Sequence, residues 1–257
     1  MDRLEHLEID LLDISSVPYR LSFRSTPSTP TLDKYVNRGD PKSGKPFASG
    51  DLKPARVGFV RINNSEIDCV PMTWAQHLWT NLDEVRSGLP EDEQLHVLVA
   101  SVLVETADSM FPLALRSKNV TTYPEHWHVS AAGYVDLAMA QRSRSLLHTI
   151  FTELEEEINV SARHVLFAEQ LGLFRQTRPN TAIVEASFHA KSRLGSDEIL
   201  SRAQSAIDTY EGKIHLFSRD SILRMLETEP FVPTAKATAL LTFGCSAGAT
   251  MRSAARG

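Results

Sequence analysis

The chain has 257 residues, 42% of them hydrophobic, and its 27 Lys and Arg against 32 Asp and Glu give a formal net charge of −5. This composition is typical of a globular protein with one large or two small domains, and its mild acidity excludes a strongly basic nucleic-acid surface. A chain with two cysteines has too few for a disulfide scaffold. The sequence lacks the basic start of a signal peptide and the long apolar run of a membrane span, so we expect neither. We therefore expect a cytoplasmic protein.

A stretch rich in Pro, Ser and Gly at residues 24–56 interrupts the early part of the chain. It has no sustained hydrophobic period, so it predicts a long loop or a partly ordered arm between short strands at 20–23 and 56–61. A loop of this length is unusual inside a compact domain and indicates either a boundary or a functional cover. We therefore expect an N-terminal extension with an accessory role at 1–54 and one main domain at 55–257.

The main domain alternates between the two hydrophobic periods of strands and helices. Strands are predicted at 95–105, 110–115, 127–135, 165–176, 182–190 and 214–218, and helices at 74–87, 140–158, 220–227 and 234–242. A further helix is predicted to begin at Ser196, with this residue as its N-cap. This order predicts an α/β (α+β) fold with helices on the faces of a mixed sheet.

The most informative segment is the acidic turn of the helix at 140–158. Glu153, Glu156 and Glu157 lie at positions i, i+3 and i+4, so they share one helix face, while Leu154 and Ile158 point elsewhere into a core. Carboxylates this close repel each other, and a hard divalent cation such as Mg²⁺ or Mn²⁺ relieves the repulsion. By spacing alone, a solvated acidic face is the commoner reading.

The segment from Thr152 to Val160, TELEEEINV, resembles half of the Nudix box, the segment R-E-U-x-E-E-x-G-U in which U is aliphatic. The strand-like segment WHVSAAGYV at 127–135 is similar to the strand that leads into the box, and Gly133 matches the box's opening glycine. The resemblance covers residues 55–245. The segments at 225–229 and 233–237 are similar to the branch that includes UDP-glucose pyrophosphatase, whose box is also lengthened.

The box also differs from the family pattern at several positions. Thr152 stands where the family has its arginine, Met139 stands where it has its first glutamate, and 12 residues replace 7 between these two positions. Asn159 stands at the glycine, a mild change because Asn tolerates the left-handed conformation.

The resemblance implies a Nudix-type α/β/α sandwich that hydrolyses a nucleoside diphosphate linked to another moiety, such as a UDP-sugar, with Mg²⁺ or Mn²⁺. It implies Glu156 and Glu157 as metal ligands, Glu153 as a ligand or outer partner, and Glu211 as a general base or further ligand. The expected partner is a small nucleotide substrate, with no nucleic acid or membrane, and a homodimer is left open. The alternative is a Nudix-fold protein that binds a nucleotide as a sensor, or acts in a specialised biosynthetic step, without this hydrolysis.

Other residues are candidates for contact with the substrate. Arg116 and Lys118 follow a predicted strand and are the first candidates for the diphosphate, although a solvated surface loop explains each one equally well. Trp127 is a candidate for stacking on a nucleobase, with core packing as the alternative. Gly133 lies among small residues of a strand, where a ligand is able to approach the backbone.

Overall fold

The computed structural model describes residues 8–13, 19–24, 29–63, 65–120, 122–207 and 212–244. The strands are β1 (Ile9–Asp13), β2 (Arg20–Phe23), β3 (Pro54–Asn63), β4 (Glu66–Thr73), β5 (His96–Glu105), β6 (Met110–Arg116), β7 (Trp127–His128), β8 (Ala131–Tyr134), β9 (Val165–Gln176), β10 (Ile183–Ser192) and β11 (Gly212–Ser218). The helices are α1 (Pro30–Val36), α2 (Trp74–Thr80), α3 (Asp83–Arg86), α4 (Leu137–Ser143), α5 (Leu147–Ile158), α6 (Ser196–Ala203), α7 (Arg219–Thr228) and α8 (Pro233–Thr242).

The strands form two sheets. The large sheet runs in the order β1-β9-β10-β5-β3-β4-β2, and β8 adds to it by pairing with β5. The β10–β5 and β2–β4 pairs are parallel and the other pairs of this sheet are antiparallel, so the predicted mixed sheet is confirmed. A small antiparallel sheet has the order β11-β6-β7.

Strand β5 explains why helices cover both sides of the large sheet. Its side chains alternate between the two faces, and nearly all of them are apolar and buried. Leu98, Ala100 and Val102 pack with α4, α5 and α6 on one side, whereas Val97 and Val99 pack on the other side with the cluster formed by α1 to α3. The predicted α/β/α arrangement is therefore confirmed.

The N-terminal segment contributes to the same sheet. Strands β1 and β2 form its two edges, paired with β9 and β4. The predicted loop at 24–56 is wrong at 30–36, where α1 buries Leu32. The carboxylate of Glu93 accepts hydrogen bonds from the amides of Thr31 and Leu32, at 3.0 and 2.8 Å from Oε2. This partner is 62 residues away in sequence, so the local pattern contains no sign of it. The division between 1–54 and 55–257 stays a prediction.

Three predicted elements are wrong in their extent. The helix at 140–158 is two helices, because Arg144 adopts a left-handed conformation with φ of 56°. The helix at 74–87 divides into α2 and α3. The strand at 127–135 divides between the two sheets at Ser130, whose hydroxyl donates to the Pro112 carbonyl (2.6 Å) and accepts from the Val104 amide (2.9 Å).

The N-cap prediction for α6 is also wrong. Gly195 occupies the cap position, and Ser196 is the first helical residue. The free amide of Ser196 instead donates to the Asp108 carboxylate (2.9 Å), which also accepts from the Ser196 hydroxyl (2.6 Å). The Asp108 carboxylate, from the turn between β5 and β6, therefore caps the N-terminus of α6 in place of a side chain at the N-cap position.

Among the described residues, no helix has both the length and the apolar character needed to cross a membrane.

Candidate functional site

Helix α5 presents two of the predicted glutamates to strand β8. The buried residues Ile150, Leu154 and Ile158 anchor the opposite side of the helix in the main core. The helix ends where the sequence predicts, because Asn159 adopts the left-handed conformation (φ 53°) at the glycine position of the box. This anchoring leaves Glu153 and Glu157, one turn apart, on the side of the helix that faces β8.

Gly133 gives Glu153 its place against the strand. A Cβ atom at residue 133 would overlap the Glu153 carboxylate, so the strand accepts this carboxylate only because glycine has no side chain. The neighbouring residue positions the second carboxylate, since the amide of Ala132 donates to Glu157 Oε1 at 3.0 Å. Two adjacent residues of β8 therefore hold two carboxylates of α5, and the structure brings together Gly133, Glu153 and Glu157.

A cavity of about 450 Å³ lies beside Glu157. This volume lies within the usual range for sites that bind small molecules. Strands of the small sheet, the start of β8, and helices α5 and α6 form its walls. Its lining residues are Ala114, Arg116, His128, Val129, Ala132, Glu157, Leu200, Ala203, Gln204, Gly212, Lys213, Ile214 and His215.

The side chains that line the cavity from the small sheet share one face of that sheet. Ile214 lies opposite Ala114, which lies opposite His128, whereas Lys213 and His215 alternate with Ile214 and so point to the other face. Arg116 ends β6, and its Nε donates to the Thr122 carbonyl (3.2 Å), which fixes the guanidinium near the cavity. With Glu157 on the helix, the cavity joins one carboxylate to the donors of Arg116 and His128, which suit an anion such as a diphosphate.

His128 adds a neutral donor to this wall. Burial, with a smaller contribution from the Arg116 charge, lowers the pKa of His128 to about 3, so the ring is neutral at physiological pH. Its Nδ1 accepts from the Val129 amide (2.8 Å). The ring proton is therefore on Nε2, which is able to donate a hydrogen bond to a ligand.

The three predicted metal ligands do not all face the same way. Glu156 is exposed and lines no part of the cavity, whereas Glu153 and Glu157 face β8. Within the described ranges, no three His, Cys, Asp or Glu side chains form a group able to hold a metal ion. Two carboxylates fit a Mg²⁺ ion that takes its other ligands from phosphate and water, and they do not fit an ion held by protein alone.

The other predicted residues have different positions. Arg116 lines the cavity, but Lys118 is exposed in the turn after β6 and is not among the lining residues. The Trp127 ring packs edge-on against His215 and Phe217, with ring centroids 5.4 and 5.1 Å apart, so it supports the wall and does not line it. Glu211 lies outside the described residues, and its predicted role stays a prediction.

The sequence interpretation missed the wall formed by β11 and α6. Leu200, Gln204 and Ile214 line the cavity, yet none of them belongs to the acidic helix or to the segment around Gly133. The only local signal is the alternation of β11, which separates Ile214 from its neighbours Lys213 and His215. That this strand pairs with β6, with Gly212 opposite Arg116, is not visible in the sequence.

Glu185 on β10 is a buried acidic residue that does not line the cavity. Its Oε2 accepts a hydrogen bond from the Thr234 hydroxyl on α8 at 2.8 Å. Burial raises the pKa of Glu185 above its ordinary value. This carboxyl therefore joins α8 to the sheet.

No family model and no curated protein sequence matches the chain. Three solved structures similar to part of it are a mutT/nudix family protein from Listeria innocua, the NUDIX domain of a Shewanella oneidensis protein in complex with ADP-ribose, and a putative Nudix hydrolase. Their sequence identities are 18%, 15% and 15%, and their TM-scores are 0.43, 0.43 and 0.49. The matches cover 60%, 58% and 72% of this chain and 96%, 86% and 89% of those chains.

Proposed function

We propose that this chain is a Nudix-type hydrolase that cleaves the diphosphate of a nucleoside diphosphate linked to another moiety, with a UDP-sugar as the first candidate. The observation that carries the proposal is the meeting of Glu153 and Glu157 with Gly133 and Ala132 beside a cavity that Arg116 and His128 line. The box-like segment from Thr152 to Val160 supports the same reaction class.

The residues of the cavity have distinct roles in this proposal. Arg116 binds the phosphate oxygens, and His128 donates from Nε2 to an oxygen that gains negative charge. Glu153 and Glu157, with Glu156 after a side-chain rotation, would hold a Mg²⁺ or Mn²⁺ ion. Such an ion neutralises developing charge and lowers the pKa of bound water.

The reaction balances without a further reagent. Water attacks one phosphorus, the bridging P–O bond breaks, and the products are a nucleoside monophosphate and a phosphorylated second moiety. Glu211 is the proposed acceptor of the proton that water loses. The apolar wall from Leu200 and Ile214 receives the less polar part of the substrate.

The test is a turnover screen on the full chain with Mg²⁺ and with Mn²⁺. Its substrates are UDP-sugars, ADP-ribose, coenzyme A and nucleoside triphosphates. Turnover of a diphosphate-linked nucleotide is expected, and Glu157→Gln should lower kcat by about 100-fold, because losing about 3 kcal/mol of transition-state stabilisation has that effect.

The matched control is Glu155→Gln on the same helix, since Glu155 is exposed and lines no part of the cavity. It should leave kcat within about twofold of the unmodified chain, as most surface substitutions are mild. Equal turnover of the Glu157→Gln and unmodified proteins would reject the proposed site.

A second candidate is a protein that binds a nucleotide without hydrolysing it. Two observations favour it: Thr152 and Met139 replace an arginine and a glutamate of the box, and the described residues hold no ready group of three metal ligands. For this candidate, the turnover screen should show no turnover of any compound. Calorimetry with the same compounds should show that a nucleotide binds. Binding that Arg116→Ala weakens would then place the nucleotide in the cavity beside α5.

A further inference from the structure

A second pocket lies at the edge of the large sheet formed by β2. We call it the β2-edge pocket; it has a volume of about 290 Å³ and is lined by Arg20, Leu21, Ser22, Glu66 and Arg144. It shares no lining residue with the cavity beside α5. The volume is about ten times that of a water molecule in the liquid, so a phosphate group fits with its hydration.

Arginines dominate the charge at this edge. Arg20 and Arg144 line the pocket, and Arg24 and Arg61 lie close by, where both bind the same buried oxygen, Asp68 Oδ2. With Glu66 and Asp68 as the acidic residues, four guanidiniums oppose two carboxylates and leave an excess of two positive charges. This excess occurs in a chain whose formal net charge is −5.

The two lining arginines have no ion-pair partner among the described residues. Arg24 and Arg61 differ in this respect, because Asp68 engages both of them. Arg144 instead lies with its Cζ 5.1 Å from the centre of the Phe23 ring. That contact leaves the donors of the guanidinium available to an anion.

The backbone fixes both arginines at the pocket. Arg20 lies opposite Glu66 in the β2–β4 register, and the amide of Leu21 donates to the Arg144 carbonyl at 3.0 Å. Arg144 itself has a left-handed backbone (φ 56°) between α4 and α5. This local geometry turns the chain back toward β2, so the edge strand and the helix connection each supply one arginine.

We propose that the β2-edge pocket binds the phosphate group of a small anionic compound, at a site separate from the cavity beside α5. Arg20 and Arg144 bind the phosphate oxygens, and the Ser22 hydroxyl is the neutral donor of the lining. Glu66 opposes the anion and limits its affinity. The pair Arg24 and Arg61 adds positive potential from the side of Asp68.

The experiment measures binding of inorganic pyrophosphate, without metal, to the full chain by isothermal titration calorimetry. All variants are made in an Arg116→Ala background, because this substitution removes a guanidinium from the cavity beside α5, where the proposed function also places an anion. In that background pyrophosphate should still bind. Adding Arg20→Ala and Arg144→Ala should raise Kd by about 10-fold or more, which corresponds to about 1.4 kcal/mol from lost charge-assisted hydrogen bonds.

Two further variants sharpen the test. Glu66→Gln should lower Kd, since it removes a carboxylate from the lining, and a misfolded variant would not bind more tightly. Arg142→Ala changes an exposed arginine on α4 that does not line the pocket, and it should leave Kd unchanged. No binding in the Arg116→Ala background, an unchanged Kd without Arg20 and Arg144, or weaker binding in Glu66→Gln would each overturn the proposal.

Discussion

The contact between Gly133 and Glu153 is the most specific residue-scale feature of the candidate site. It explains why a glycine is needed in a strand whose backbone has no left-handed residue, since the carboxylate occupies the space that a side chain would take. Glycine in a strand interior is otherwise unfavourable, and it often marks a close approach. The position of Glu153 therefore depends on a residue that takes no part in the chemistry.

Replacing Gly133 by alanine should displace Glu153 and destabilise the protein mildly. The free energy of unfolding should fall by about 1 kcal/mol or less, because the atoms that the new methyl group meets are the end of a flexible side chain, which is able to turn away. Urea denaturation measures this change. Gly50→Ala is the control, because nothing lies within 4 Å of a Cβ at that position.

A double-mutant cycle separates this clash from other effects of the substitution. If the Glu153 side chain is what the new methyl group meets, Gly133→Ala should cost clearly less in a Glu153→Ala background. The same cost in both backgrounds would show that another contact is responsible.

At the scale of elements, α6 connects a distant turn to the cavity. Asp108 holds its first residue, while Leu200 and Ala203 near its end line the cavity. Hydrogen bonds from Ser196, and then from Thr106, lower the pKa of Asp108 to about 2. The carboxylate is therefore ionised at neutral pH, as a group near a helix N-terminus should be.

Asp108→Ala should lower the free energy of unfolding by about 1 kcal/mol, the usual effect of losing a helix cap. Hydrogen exchange in α6 should increase more than exchange in α5, because only α6 loses its cap. Asp108→Asn keeps one acceptor oxygen and should lose less.

The stability that Asp108 contributes should also depend on pH. Because the pKa of Asp108 is depressed in the folded state, the unmodified protein should be more stable than Asp108→Ala above about pH 4, and this difference should decrease as the pH falls through about 2. A difference that persists undiminished below pH 2 would contradict this account.

The elements differ in how well the sequence predicts them. Strands such as β5 and β9 were predictable to within a residue, because long runs of apolar or alternating side chains carry a strong local period. Helix α1 and the break at Arg144 were not, since one depends on Glu93 far along the chain and the other on a single left-handed residue. Local propensity contains neither kind of information.

The residues of the candidate site also differ in how well the sequence predicts them. The i, i+4 pair Glu153 and Glu157 was predictable, because helical spacing alone places both carboxylates on one face. Its exposed neighbour Glu156 was predicted to join them, yet it faces solvent. The wall that carries Ile214 depends on the pairing of β11 with β6, which joins segments about 100 residues apart and leaves no local pattern.

At the scale of the whole molecule, buried titratable groups make stability depend on pH in two opposite ways. Burial lowers the pKa of His77 and His96 to about 4 and that of His128 to about 3. Between these values and about 6.5, the unfolded chain binds protons that the folded protein does not, so the free energy of unfolding falls as the pH falls. Glu185 acts in the other direction, because its raised pKa makes the folded state keep a proton above pH 4.5.

The change of the free energy of unfolding with pH tests these opposite contributions of the buried histidines and Glu185. A variant that is less stable at every pH keeps the same slope, so the slope reports only the protons that bind on unfolding. Between pH 7 and 5 the free energy of unfolding should fall, and His77→Gln should reduce the slope by up to about 1.4 kcal/mol per pH unit, the value for one proton. The unmodified protein, measured in the same buffers, is the reference for each slope. Glu185→Gln should make the slope steeper, because it removes the group that opposes the histidines. Urea denaturation at half-unit intervals of pH measures each slope. A slope that none of these buried positions alters would mean that other groups bind the protons on unfolding.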